Sequence, residues 1–212
     1  MKNFLSILLF LIKYLFSNKK RYLNLFYYIL KNHPKTILEI GIYKGTRSKE
    51  MIQLAKIFNK KITYYGFDLF EEITKKEKEN ELSKYPNSYY YIHKLLKKFT
   101  DNVNLYKGNT SSTLKVFSKN KKKIDLIFID GGHKIATIKN DWKFCSKLLK
   151  KGSILIFDDY YLNNKKLISK YGCNQLINKL KKNKIKIKLL PFTDYFYIKG
   201  IKTGIRMVAI KI

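Results

Sequence analysis

The sequence is poor in several things at once. It has 2 cysteines, 3 prolines, and 15 acidic residues against 45 lysines and arginines. No apolar run reaches the roughly 20 residues that span a bilayer. Cys145 and Cys173 lack the number and spacing of a disulfide framework or a zinc cluster, which leaves a reducing compartment such as the cytoplasm as the simplest setting. The acid shortage leaves a formal charge of +30, a field that ordinarily marks a polyanionic partner. Arginine is scarcer still, with only Arg21, Arg47 and Arg206, while Lys, Asn, Ile, Tyr and Phe abound. A/T-rich codons supply that set without selection for a partner, so the charge by itself does not name nucleic acid as the target. The longest basic run, Lys119 to Lys123, falls where a helix hands over to a strand and reads as a solvated turn. The aromatics of Tyr89-Tyr-Tyr-Ile-His-Lys94 could stack on bases, but core or lid is the simpler reading.

What is present begins with an apolar N-terminus. Phe4 to Phe16 is broken only by Ser6 and Lys13 and is followed by Asn18-Lys-Lys-Arg21. No small-residue cleavage site follows it, and it is too short to span a membrane. It fits a helix that docks on the domain or on a second copy of the chain, or one that makes peripheral contact with an anionic membrane through residues 4–21.

A second helix is expected over Tyr22 to Lys31, making residues 1–32 a helical extension before a domain of residues 33–212. His33-Pro34 breaks the pattern, and Thr36-Ile-Leu-Glu-Ile40 reads as a strand ending at Gly41. A helix from Thr46 to Phe58, a strand over Ile62 to Asp68, and a long insertion over about 70–99 follow, the last closing with an aromatic helix from Tyr89. Further strands are expected at Val103 to Tyr106, Ile124 to Ile129 and Ser153 to Phe157, separated by helices over Ser112 to Ser118 and Ile138 to Leu149. After a helix over Asn174 to Lys182 come three apolar pieces, Ile185 to Leu190, Tyr195 to Lys199 and Ile205 to Ile212. They lack room for crossover helices and should pair antiparallel. The sum is a doubly wound, Rossmann-like α/β fold with a mostly parallel seven-stranded sheet and a C-terminal antiparallel hairpin.

Ligands of such sheets lie at the carboxyl ends of the strands, and four strands here end in a polar signal: Glu39-Ile-Gly41, Asp68, Asp130 and Asp158-Asp159. Gly41 and Gly45 allow a tight turn and close approach of a ligand. The loop lacks the Gly-x-Gly-x-x-Gly that receives a dinucleotide pyrophosphate, and the carboxylate of Glu39 beside it suits a cationic ligand better. Asp68 stands where an acidic side chain can accept both hydroxyls of a ribose.

In this order the residues resemble class I S-adenosylmethionine-dependent methyltransferases, within them the small-molecule O-methyltransferases of the catechol and macrocin type. The resemblance covers about Thr36 to Asp159. It implies that Glu39, Gly41, Tyr43 and Gly45 receive the methionine moiety, that Asp68 receives the ribose, and that Asn109 and Thr110 lie near the adenine, with Asp130 bordering the cofactor. Asn109 departs from the aspartate many relatives carry. The resemblance further implies a Mg²⁺ or other divalent cation on Asp130, Asp158 and Asp159. Hard oxygen ligands suit that ion, and three crowded carboxylates repel without a cation. The competing reading is an Asp-Asp turn that caps the next helix. His133 lies where relatives place a base that deprotonates the acceptor hydroxyl, though it could equally cap a helix. The expected reaction is metal-assisted methylation of a small-molecule or sugar hydroxyl, with Asp130 and His133 at the chemistry. The alternatives are an RNA methyltransferase using the basic surface and a non-catalytic adaptor on the same fold.

Overall fold

A computed structural model of the chain describes residues 2–182, 185–198 and 200–212. Two helices come first, α1 (Lys2–Leu15) and α2 (Tyr22–Asn32). Strands and helices then alternate: β1 (Thr36–Ile40), α3 (Thr46–Lys56), β2 (Thr63–Asp68), α4 (Lys75–Asn80), α5 (Tyr89–Lys97), β3 (Asn102–Lys107), α6 (Thr113–Lys119), β4 (Leu126–Ile129), α7 (Ile135–Cys145) and β5 (Ile154–Leu162). The chain closes with α8 (Lys165–Ile168), α9 (Asn174–Lys182), β6 (Ile187–Ile198) and β7 (Ile201–Lys211).

The seven strands form one sheet in the order β3-β2-β1-β4-β5-β7-β6, in which only β7 runs antiparallel to its neighbours. Of the three apolar pieces expected at the C-terminus, the first two are one strand, β6. Pro191 lies inside it, and the pairing with β7 slips between Leu189 and Thr193. An edge strand tolerates a proline because it has no partner to lose on its open side. Lys199, the last residue expected in the middle piece, lies outside the described residues.

Both faces of the sheet are covered, as the continuous apolar runs of its central strands require. Ile37, Tyr64, Phe128, Ile154 and Ile156 pack toward α2, α3 and α5. Leu38, Ile40, Phe67, Ile127, Ile129, Leu155 and Phe157 pack toward α6, α7 and α9. Helix α2 belongs fully to the first layer: Leu25, Phe26 and Ile29 are wholly buried in the same core as the strands, each contributing roughly 1.5–3 kcal/mol of burial. Helix α1 docks beside it through Phe10 and Tyr14, whose hydroxyl donates to Glu50 of α3. Its outer side leaves Leu8, Leu9, Ile12, Leu15 and Phe16 exposed. Among the described residues no helix is long and apolar enough to cross a membrane.

Candidate active site

Strand register builds the site. Ile40 pairs with Phe67 and Ile129, and Ile129 pairs with Phe157, so the next residues, Gly41, Asp68, Asp130 and Asp158, form one row at the carboxyl edge. All four polar strand ends expected from the sequence therefore meet there. Strand β5 does not stop at its acidic pair. It continues to Leu162 through a bulge that falls between Phe157 and Tyr160, so Asp158 and Asp159 are held inside a strand at a local kink.

Gly41 has φ +90°, and a Cβ there would lie 2.1 Å from the backbone oxygen of Asp130, so only glycine lets the first and fourth strands close up at this point. Glu39 points to the α3 side, 1% exposed. Its Oε2 accepts hydrogen bonds from Ser48 and Tyr64, while Oε1 is buried with no partner. Burial pushes this carboxyl up to about 8, against the hydrogen bonds of Ser48 and Tyr64. Asp68 reaches back over the glycine turn: its Oδ2 accepts from the amides of Ile42 at 2.7 Å and Tyr43 at 3.0 Å, and its Oδ1 from the amide of Phe70. Asn109 is exposed and closes the turn before α6, its Oδ1 accepting from the amide of Ser111. Thr110 accepts a hydrogen bond from Asn140 of α7. Two surface recesses are present, one beside the end of β3 and α6, lined by Tyr106, Ser112 and Thr113 among others, and one between α1, α3 and the end of α5.

Alternation along β4 and β5 turns Asp130 and Asp158 toward the layer of α2, where Arg21 and Tyr22 wait. The Arg21 guanidinium forks onto Asp158, Nε to Oδ1 at 2.7 Å and Nη2 to Oδ2 at 2.8 Å. Its Nη1 donates to Asp194 of β6 at 2.6 Å, and Tyr22 Oη donates to Asp130 at 3.3 Å. Burial alone would raise the Asp158 carboxyl, but the guanidinium overrides it and holds the group below the ordinary range. Burial and the charges of Asp158 and Asp159 push Asp130 well above that range.

His133 bridges the 70–99 insertion and the acid pair. Its Nδ1 lies 2.6 Å from the backbone carbonyl of Glu81 and its Nε2 lies 3.2 Å from Asp159. A carbonyl only accepts, so Nδ1 carries the hydrogen and the lone pair of the neutral ring sits on Nε2. Burial raises Asp159, against the opposing pull of His133. Neither ring nitrogen caps a helix. That task belongs to Glu81, whose carboxylate accepts from the Lys134 amide and the Thr137 hydroxyl at the start of α7. Gly132 makes room for it, since a Cβ there would sit 2.8 Å from Glu81 Oε2.

The expected magnesium ligands do come together, but they do not fit the ion. Both oxygens of Asp158 are committed to Arg21, and those of Asp159 to His133 and Tyr161. Among the described residues no group of three or more His, Cys, Asp or Glu side chains is arranged to hold a metal. The cation paired with Asp158 in the structure is the Arg21 guanidinium. Sequence reasoning missed Arg21, Tyr22, Glu81 and Asp194. A signal for one of them existed: a chain with so few arginines engages each of them internally, Arg47 with Glu50 and Tyr14 and Arg206 with the Leu190 carbonyl.

The sequence model of the family described as methyltransferase domain matches residues 38–160. Comparison with curated proteins finds no match. Among solved structures, the chain is similar to the O-methyltransferase TomG of Streptomyces achromogenes, which is involved in tomaymycin synthesis and was determined with S-adenosylmethionine. The TM-score is 0.60 at 11% identity, over 88% of this chain and 77% of that one. It is also similar to an O-methyltransferase from Bacillus cereus bound to S-adenosylhomocysteine, with TM-score 0.58 at 15% identity over 89% and 79% of the two chains. A TDP-rhamnose 3'-O-methyltransferase of calicheamicin biosynthesis aligns with TM-score 0.57 at 21% identity over 86% and 76%.

Proposed function

The chain belongs to the methyltransferase-domain family and has the class I methyltransferase fold, and on that premise we propose that it moves a methyl group from S-adenosylmethionine to a hydroxyl oxygen of a small molecule or sugar. The observation that carries the cofactor reading is the buried, unpartnered Oε1 of Glu39 beside the Gly41 turn. A lone acceptor in that position suits the ammonium group of a methionine moiety. The residues of the edge fit the rest of the cofactor: Gly41, Tyr43 and Gly45 line the turn, Asp68 ends β2 as an acceptor for ribose hydroxyls, and Asn109 and Thr110 border the adenine side. The acceptor class follows the structural neighbours, which are O-methyltransferases.

When bound, the cofactor supplies an electrophilic methyl group on a sulfonium sulfur. The chain's own part is positioning and proton removal. For His133 to act as the base, the acceptor hydroxyl enters between Nε2 and Asp159 and gives its proton to Nε2 while Nδ1–H stays on the Glu81 carbonyl, and the neighbouring Asp159 steadies the imidazolium that forms. Asp130, in the row between Gly41 and Asp158, borders both the turn and the acid pair and positions the acceptor. The insertion over 70–99 excludes water, and the Glu81 contacts dock it on α7. Magnesium takes no part in this scheme, because the Asp158 and Asp159 oxygens it would need are engaged.

Calorimetric titration with S-adenosylhomocysteine tests the cofactor, and transfer of labelled methyl to nucleotide-sugar, catechol and glycolipid acceptors tests the chemistry. One-to-one binding and acceptor-dependent labelling on oxygen are expected. Absence of binding overturns the reading.

A further inference from the structure

Three carboxylates at the ends of β4 and β5 create a charge problem that the fold answers in an unusual place. Asp158 is wholly buried and Asp159 is 7% exposed, so water does little to screen them. Arg21, the residue just before α2, lays its guanidinium on Asp158, beside Asp130 and Asp159 without a hydrogen bond to either, and is itself 9% exposed. Its donors go to both Asp158 oxygens, to Asp194 and, from Nη2 at 3.2 Å, to Tyr22 Oη. The rings of Tyr22 and Phe196 lie 4.7 and 5.7 Å from its central carbon. The planar fork matches a carboxylate in two-point contact, as a lysine in that place could not.

We infer that Arg21 is the resident cation of this site, standing in its charge balance where a divalent ion would otherwise stand, and that the chain works without a metal. The chemistry follows from what a guanidinium is. Its single charge is set against Asp158 and Asp194, but it is no Lewis acid, and its hydrogens are taken by those carboxylates and by Tyr22 Oη. A Mg²⁺ ion demands six oxygens at about 2.0–2.1 Å. To gain Asp158 it must displace a positive charge already there. Unlike an ion, this charge cannot be removed by a chelator, and it ties the junction of α1 and α2 to β5 and β6 at the catalytic edge.

The proposal as it concerns turnover rests on the methyl-transfer reading, so its decisive test is metal binding. Mn²⁺ is titrated into the full chain and followed by the electron paramagnetic resonance of the free ion, with and without S-adenosylhomocysteine. The wild-type chain is expected to bind no Mn²⁺ more tightly than about 1 mM. Arg21→Ala, which frees Asp158, is expected to gain one site at least tenfold tighter, and Arg21→Ala/Asp158→Asn to lose it again. Stoichiometric Mn²⁺ binding by the wild type that disappears in Asp158→Asn overturns the inference, as does a folded Arg21→Ala that gains no site. If Arg21→Ala does not fold, the wild-type titration still decides. Turnover should be equal in EDTA and in millimolar Mg²⁺. A chain that binds neither S-adenosylhomocysteine nor Mn²⁺ sinks the cofactor reading and leaves the Arg21 assignment standing.

Discussion

Glu39 and Asp141 are acids whose ionisation the fold opposes. Glu39 rises from 4.5 to about 8 through burial, and Asp141 from 3.8 to about 6 through burial opposed by hydrogen bonds from Thr110 and Asn140. An acid whose folded-state pKa lies above its unfolded value stabilises the fold below the unfolded value, and that contribution is lost as pH climbs through the folded one. Asp141, on α7, is wholly buried with its Oδ2 unpartnered. Asp141→Asn should therefore match the wild type near pH 3.5 and exceed it by roughly 2–3 kcal/mol above pH 7, as read from urea unfolding at the two pH values. A gain equal at both would show that charge is not the cause. At Glu39 the same shift becomes a binding signature. An ammonium on Oε1 favours the ionised form, so S-adenosylhomocysteine should release about one proton at pH 7. Calorimetry in buffers of different ionisation enthalpy measures it, and Glu39→Gln should release none. The strand-end acids were legible in the sequence because a carboxylate after an apolar run is conspicuous. Arg21 and Glu81 were not, since the partners that give them meaning lie 137 and more than 50 residues away.

At the scale of elements, the proposed lid over 70–99 depends on a few contacts. Glu81, at the end of α4, caps α7 with its carboxylate and fixes His133 with its carbonyl. Glu81→Ala removes the cap and should cost about 1 kcal/mol. Hydrogen exchange should quicken across 70–99 and the first turn of α7 while the central strands stay protected. Affinity for S-adenosylhomocysteine should hold, because Glu39 and Asp68 are untouched. Uniform acceleration over the whole chain would mean that Glu81 stabilises the fold without docking the lid. Periodicity located most elements to within a few residues. It missed the continuation of β5 past Asp158-Asp159, because a bulge is set by pairing with β7 and leaves no mark in local composition. It also split β6 at Pro191, reading as a break what an edge strand absorbs.

The whole molecule is one sheet between two apolar layers, and its alternation of strand and helix was enough to read the architecture from sequence. The role of the N-terminus was not, because an apolar run states that a helix wants cover without stating from what. In the structure α2 supplies the layer over the acid edge, and a truncation that removes Arg21 strips a buried carboxylate of its cation. This changes what substitutions at the two ends of the row should do to the unfolding of the whole domain. A ligand bound only by the folded chain raises stability by about 2.7 kcal/mol at one hundred times its dissociation constant. Asp68→Ala, which loosens the turn over Ile42 and Tyr43 and removes the proposed ribose acceptor, should abolish the rise in Tm on adding S-adenosylhomocysteine while lowering the ligand-free Tm only modestly. Asp158→Asn should do the reverse. It leaves the Arg21 charge buried against a weaker partner, which costs on the order of 3 kcal/mol, yet the ligand-induced rise should survive. Thermal unfolding of both variants with and without the ligand separates the roles, and equal loss of the rise in the two would show that the turn and the acid pair act as a single site.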